Sequence, residues 1–185
     1  MAGTDLNPMA SSGRRSMNIL LTGPPRVGKT TAILRIVQDL GSGMCGGFWS
    51  EEIREQGRRV GFRVTTLEGE KGILAHVALR TGPRVGKYRV NVSDIDSVAV
   101  PAMERARRSG RIIVIDEIAR MELYSSKFAD EVLRCLDTGR VVGTIQQKRM
   151  PFLEQVRSRP DVVLLEMNLS NRDAVPKRVL ELLQC

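Results

Sequence analysis

One stretch, Gly23-Pro24-Pro25-Arg26-Val27-Gly28-Lys29-Thr30-Thr31, restricts the fold of this 185-residue chain more than any other. It follows the apolar run Met17-Asn18-Ile19-Leu20-Leu21-Thr22 and precedes the helical pattern Ala32-Ile33-Leu34-Arg35-Ile36-Val37. Strand, glycine-bounded loop and helix, in that order, form the setting in which G-x-x-x-x-G-K-[ST] is a phosphate-binding loop. Its glycines let backbone N–H groups turn inward around an anion, and the helix that starts near Lys29 adds unpaired donors and a positive dipole end. Lys29 is then the cation that reaches β- and γ-phosphates, and the Thr30 hydroxyl is a Mg²⁺ ligand.

The pattern further along is that of a layered α/β chain. Helical periodicity runs from about Gly28 to Leu40 and stops at Gly41-Ser42-Gly43. Gly46 to Ile53, Val60 to Leu67 and Ile73 to Ala78 read as strands separated by Glu55-Gln56-Gly57-Arg58 and Glu68-Gly69-Glu70-Lys71-Gly72 turns. They predict an antiparallel hairpin inserted into alternating strands and helices. Thr81 to Tyr88 echoes the phosphate loop, but Tyr88 stands where a Ser or Thr is needed and no apolar helix follows at once. Asn91 to Ser109 reads as a helix with Ser93 or Asp94 as its cap and a bend at Pro101. A helix from Ser125 or Ser126 to Asp137, a strand at Val141 to Ile145, a short helix at Pro151 to Arg157, a strand at Val162 to Glu166 and a helix at Asn171 to Gln184 complete the chain.

Arg111-Ile112-Ile113-Val114-Ile115-Asp116-Glu117 is a continuous apolar run that ends in two acids, as expected of a strand buried on both faces of a parallel sheet. Ligands in such sheets bind at the carboxyl ends of the strands, so these acids converge on the phosphate loop. Asp116 suits a water-mediated Mg²⁺ contact, and Glu117 a general base that polarises the attacking water. Thr144 or Gln146, at the end of the next strand, is a candidate for sensing the γ-phosphate. A cation that neutralises the transferred phosphoryl group is also required, and Arg26, Arg120 and Arg172 are equal candidates. Glu51, Glu52 and Arg54 either border the nucleotide or form a solvated edge. His76, the sole histidine, is assigned to structure.

No run of ~18 apolar residues is present, so no membrane span is expected. The net charge of +8 suits anionic nucleotides; with four Phe, two Tyr and one Trp available for stacking, a nucleic-acid groove is possible but not favoured. Cys45, Cys135 and Cys185 lack metal-site spacing and fit a reducing, cytoplasmic setting. Residues 1–16 read as a disordered leader or a cloning remnant, and 17–185 as a single domain.

Taken together the blocks resemble the THEP1-type nucleoside-triphosphatase family, known in animals as cancer-related nucleoside-triphosphatases. The similar blocks are Gly23–Thr31, Gly47–Arg54 with Arg59–Phe62, Val85–Asn91, Ile115–Ile118 with Met121–Leu123, and Asn171–Asp173. The resemblance implies a RecA-like P-loop core and slow, Mg²⁺-dependent hydrolysis of ATP, GTP, CTP and UTP to diphosphate and phosphate with little base selectivity, by what we expect to be a monomer. It also implies nucleotide contacts from Gly23, Pro24, Pro25, Arg26, Val27, Gly28, Lys29, Thr30 and Thr31, and from Ile115, Asp116, Glu117, Ile118, Ala119 and Arg120. Two departures stand out: Arg26 occupies a place that is usually glycine, and Ala119-Arg120 replaces Gly-Lys. The alternatives are a P-loop kinase for a small molecule or nucleic acid, with Arg54, Arg58 and Arg59 on an acceptor lid, or a nucleotide-dependent binding switch.

Overall fold

The computed structural model describes residues 17–184, so the reading of residues 1–16 lies outside the described residues. The elements are β1 (Asn18–Thr22), α1 (Lys29–Leu40), β2 (Cys45–Glu55), β3 (Arg58–Thr66), β4 (Lys71–His76), β5 (Arg84–Val85) and β6 (Tyr88–Val90). They continue with α2 (Val92–Asp94), α3 (Val100–Arg108), β7 (Ile112–Ile118), α4 (Ser126–Leu136), β8 (Val141–Ile145), α5 (Pro151–Arg157), β9 (Val162–Glu166) and α6 (Val175–Gln184). All the strands join one nine-stranded sheet in the order β5-β6-β4-β3-β2-β7-β8-β1-β9. The stretch from β2 to β9 is parallel, while β3, β4, β6 and β5 extend it in antiparallel fashion on one side.

The apolar runs of β1 and β7 are continuous because both faces of the parallel sheet are covered. Leu20, Ile113 and Ile115 pack with Phe48, Met103, Phe128 and Val132 on the side of α3 and α4. Ile19, Leu21 and Val114 face the other way, onto Ile33 and Ile36 of α1 and Val179 of α6. Side chains that alternate across a strand therefore feed two cores, as the period of two requires. At roughly 1.5–3 kcal/mol for each large apolar side chain removed from water, these two layers dominate the stability of the sheet.

The expected hairpin is β2–β3, and it is the start of a larger extension. β2 is long enough to pair with β7 through Cys45–Trp49 and with β3 through Phe48–Glu55. The echo of the phosphate loop folds as the β5–β6 hairpin, in which Val85 pairs with Tyr88 across the two-residue turn Gly86-Lys87.

Two helix ends differ from expectation. Asn91, not Ser93 or Asp94, caps the helix, accepting from Asp94 N at 3.3 Å. Asp94 is engaged elsewhere: its carboxylate accepts from Ile73 N at 2.7 Å and ties the helix start to β4. The bend expected at Pro101 is a π-helical turn over Ile95–Ala99, just ahead of a residue that has no N–H to give and whose ring crowds the preceding turn. Helix α6 begins at Val175 because Asn171 braces a loop instead, accepting from Asn168 N at 2.8 Å and donating to Glu166 O at 2.9 Å.

Candidate active site

The phosphate loop leaves β1 and enters α1 against the segment that follows β9. A Cβ on Gly23 would lie 2.3 Å from Met167 O, so only glycine fits there. Gly28, at the helix start, has φ 103, and Arg26 has φ 65, in the left-handed region that glycine occupies without strain. The loop therefore keeps the backbone shape of a phosphate cradle even where the side chain is arginine, at a cost of roughly 1–2 kcal/mol. Lys29 Nζ curls back over the loop, donating to Gly23 O at 3.1 Å and to Pro24 O at 3.4 Å.

The acids at the end of β7 meet this loop. Between Ile115 and Ile118 the pairing with β8 slips, so that three β7 steps oppose two from Gly143 to Ile145. Such an irregularity re-aims side chains that would otherwise point to opposite faces. Asp116 and Glu117 both line the same recess as a result. Asp116 is buried, and its Oδ2 accepts from Thr30 Oγ1 at 2.7 Å while its Oδ1 accepts from Thr144 Oγ1 at 2.6 Å. Burial raises its pKa; the Thr144 and Thr30 hydroxyls and the Lys29 charge oppose that rise. Glu117 Oε1 lies 3.7 Å from Lys29 Nζ. Its pKa is also raised, by burial first, with Lys29 pulling it down and Asp116 pushing it up.

The recess has a volume of about 600 Å³, with Arg26, Lys29, Thr30, Asp116 and Glu117 on one side. Ser50, Glu51, Glu52, Arg54, Arg59 and Phe62 form the opposite wall, from β2 and β3. Arg59 is held there by Tyr88 Oη at 2.9 Å and Glu52 Oε1 at 2.7 Å, with its guanidinium 5.0 Å from the Phe62 ring centroid. Arg54 Nε donates to Glu52 Oε2 at 2.9 Å. Glu52 is correspondingly acidic, its carboxyl held below the usual range chiefly by the Arg59 hydrogen bond.

On the other flank of the loop a pocket of about 290 Å³ is bounded by Val27, Ala32, Met167 and Pro176, with Arg35 and Arg172 at its edge. The Arg172 guanidinium lies 4.0 Å from the Asp173 carboxylate.

Of the loop residues, Pro25, Arg26, Gly28, Lys29, Thr30 and Thr31 line the large recess, and Val27 lines the flanking pocket. Ile115 and Ile118 are fully buried in the core. Ala119 and Arg120 line a smaller neighbouring chamber, and Arg120 N is hydrogen-bonded to Gln146 Oε1 at 3.3 Å. Of the three arginines weighed as the neutralising cation, only Arg26 borders the recess; Arg54 and Arg59 face it from across. Thr144 is spent on Asp116, whereas Gln146 does line the recess. The role of Thr144 had no local signal, because its partner is 28 positions away.

Asp116 and the Thr30 hydroxyl together present hard oxygen donors, the kind that Mg²⁺ takes in small number while keeping water. No group of three or more His, Cys, Asp or Glu among the described residues is arranged to hold a metal ion by itself. The donor set fits an ion shared with substrate phosphate, not one caged by protein alone.

A phosphate loop at the end of β1, faced by an acid pair at the end of the parallel strand β7 one place beyond β8, defines a P-loop NTPase fold. A family model described as NTPase matches residues 18–180. Relatives include nucleoside-triphosphatase THEP1 of Thermotoga petrophila, 46% identical over 91% of this chain and 93% of its own length. The cancer-related nucleoside-triphosphatase homolog of mouse is 37% identical over 91% of this chain and 97% of its own. The crystal structure of THEP1 from Aquifex aeolicus superposes with a TM-score of 0.84 at 40% identity, covering 91% of this chain and all of that one. The chain belongs to the THEP1 nucleoside-triphosphatase family.

Proposed function

We propose that this protein hydrolyses nucleoside triphosphates to nucleoside diphosphates and phosphate. The observation that carries the reading is the meeting of Thr30 with Asp116 and of Lys29 with Glu117 at the phosphate loop. With a triphosphate bound, Lys29 exchanges the loop carbonyls for β- and γ-phosphate oxygens. Water attacks the γ-phosphorus in line, the bond to the bridging β-phosphate oxygen breaks, and Glu117 accepts the water's proton. A carboxylate whose pKa is raised by burial is better matched to that task than a solvated one. Thr30 and Asp116 would hold Mg²⁺, which neutralises phosphate charge when bound. Thr144 keeps the Asp116 carboxylate aimed.

The base is assigned to the flanking pocket, whose Val27, Ala32, Met167 and Pro176 side chains offer apolar surface beside the polar Thr31, Arg35, Arg172 and Asp173. Such a site accepts ATP, GTP, CTP and UTP alike. No helix among the described residues is long and apolar enough to cross a membrane. We take the protein to act as a cytoplasmic monomer.

The test is phosphate release from the four triphosphates with Mg²⁺. Lys29→Ala and Glu117→Gln are each expected to lower kcat by about 10²–10⁴-fold, the usual worth of a positioned proton acceptor or its electrostatic partner. Equal release by wild type and Glu117→Gln would remove the assigned role.

One observation favours a second reading, phosphoryl transfer to an acceptor other than water: Arg54 and Arg59 face the loop across the recess. Transfer of γ-label to a nucleoside, nucleotide or RNA end would support it.

A further inference from the structure

Beyond Glu117 the recess continues into a chamber of about 160 Å³, lined by Phe62, Leu74, Glu117, Met121, Glu122 and Gln146. Glu117, Gln146, Ser50 and Phe62 border both spaces, so the two are contiguous at the acid that faces Lys29. Glu122 opens the short turn Glu122–Tyr124, and its side chain is 3% exposed. Its Oε2 has no hydrogen-bond partner among the described residues. A buried carboxyl oxygen without a partner is costly, and such an atom needs an explanation. Phe62, Leu74 and Met121 supply no strong hydrogen-bonding group, and the polar side chains that share the chamber, Ser50, Arg120 and Gln146, make no hydrogen bond to this oxygen, which leaves water in the chamber as its partner. The space is large enough for more than one water molecule, since roughly 10–15 Å³ of such volume admits one.

We propose that this chamber is the nucleophile site, in which the attacking water sits between Glu117 and a second water that is hydrogen-bonded to Glu122. The inference rests on the triphosphatase reading and assigns Glu122 as a positioning residue. The loop, Lys29 and the Thr30–Asp116 pair hold the phosphate from one side. In-line attack needs the nucleophile opposite the leaving oxygen, and the chamber opens beside the proton acceptor. The Glu122 carboxyl gives water in the chamber a fixed direction toward Glu117. Burial, together with the Glu117 and Asp116 charges from β7, raises the Glu122 pKa to about 8, and Arg120 is the cation that lines the same chamber. At neutral pH Glu122 therefore carries a proton, so it both donates to and accepts from water and buries no charge. In the reaction the water oxygen bonds to the γ-phosphorus and the electron pair of the broken P–O bond leaves on the diphosphate. The water's proton goes to Glu117 and then to the released phosphate.

The experiment compares wild type, Glu122→Gln and Glu122→Leu in steady-state phosphate release from Mg²⁺-ATP, with ADP affinity measured in parallel. Leu removes the polar group at similar volume and is expected to lower kcat by ~10- to 100-fold, the scale of misplacing a reacting group, with KM and ADP affinity within about twofold of wild type. Gln keeps a donor and an acceptor and is expected to rescue kcat to within about threefold. Should Glu122→Leu not fold, Leu74→Phe, which fills the chamber from the other wall, is expected to give the same kcat-only loss. Undiminished turnover in Glu122→Leu or in folded Leu74→Phe, or equal losses in Gln and Leu, overturns the assignment while leaving the triphosphatase reading intact. Absence of phosphate release from wild type removes that reading and this inference with it.

Discussion

Burying Asp116 costs free energy that two hydroxyls and the Lys29 charge offset, and its geometry follows from those partners. Glu122 has its own backbone N–H as an offset, with the Glu117 and Asp116 charges working against it, and it keeps its proton. Its carboxyl pKa is raised from an ordinary 4.5 to about 8. Folded protein thus binds a proton that unfolded chain releases above about 4.5, and the associated stability is present below that pH and lost as pH rises through about 8. Calorimetry of the nucleotide-free protein should show a melting temperature that falls over this window. Glu122→Gln is expected to flatten the fall and to melt several degrees higher at pH 9, by about 2–4 °C for each kcal/mol recovered, with little change at pH 4.5. Asp116 and Glu117, also raised by burial, leave a residual slope of the same sign. At this scale the acid pair was legible because it closes an uninterrupted apolar run. Thr144 and Glu122 were not assigned these roles, because a hydroxyl and a glutamate look alike in sequence whether solvated or buried.

Among the elements, the phosphate loop is set by where β1 ends and by what lies behind it. Gly23 is pressed against the backbone after β9, where a Cβ would meet Met167 O at 2.3 Å. Gly41, at the end of α1, has φ 89, and a Cβ there would point into open space. Gly23→Ala is therefore expected to destabilise the fold by about 1–3 kcal/mol and to weaken nucleotide binding at least tenfold, since the loop must move as a whole. Gly41→Ala should cost about 1–2 kcal/mol through φ alone and leave nucleotide affinity unchanged. Denaturant melts and ADP titrations of both variants check the contrast. The strands and helices themselves were readable from period and turn residues. The capping by Asn91, the π-helical turn before Pro101 and the late start of α6 were not, because each depends on a partner brought by another element.

For the whole molecule, the sheet order sets what surrounds the nucleotide. The parallel strands bring the loop and the acids to one edge, and the long β2 and its partner β3 extend past it, so Arg54 and Arg59 line the same recess as the loop. The other flank, between α1 and the segment after β9, stays open and mainly apolar. Values of kcat/KM for ATP, GTP, CTP and UTP are accordingly expected to lie within about tenfold of one another, because a mostly hydrophobic site discriminates weakly. A spread of about a thousandfold in steady-state assays would show a base-reading contact. Local chemistry written along the chain was enough for the α/β class and for bringing forward Lys29, Thr30, Asp116 and Glu117 as candidates, since each is carried by consecutive residues and their period. Tertiary structure alone decided that Thr144 holds Asp116, that Arg59 faces the loop and that Glu122 closes a chamber behind Glu117. Strand order and register bring those side chains together, and they arise from packing between segments far apart in the chain.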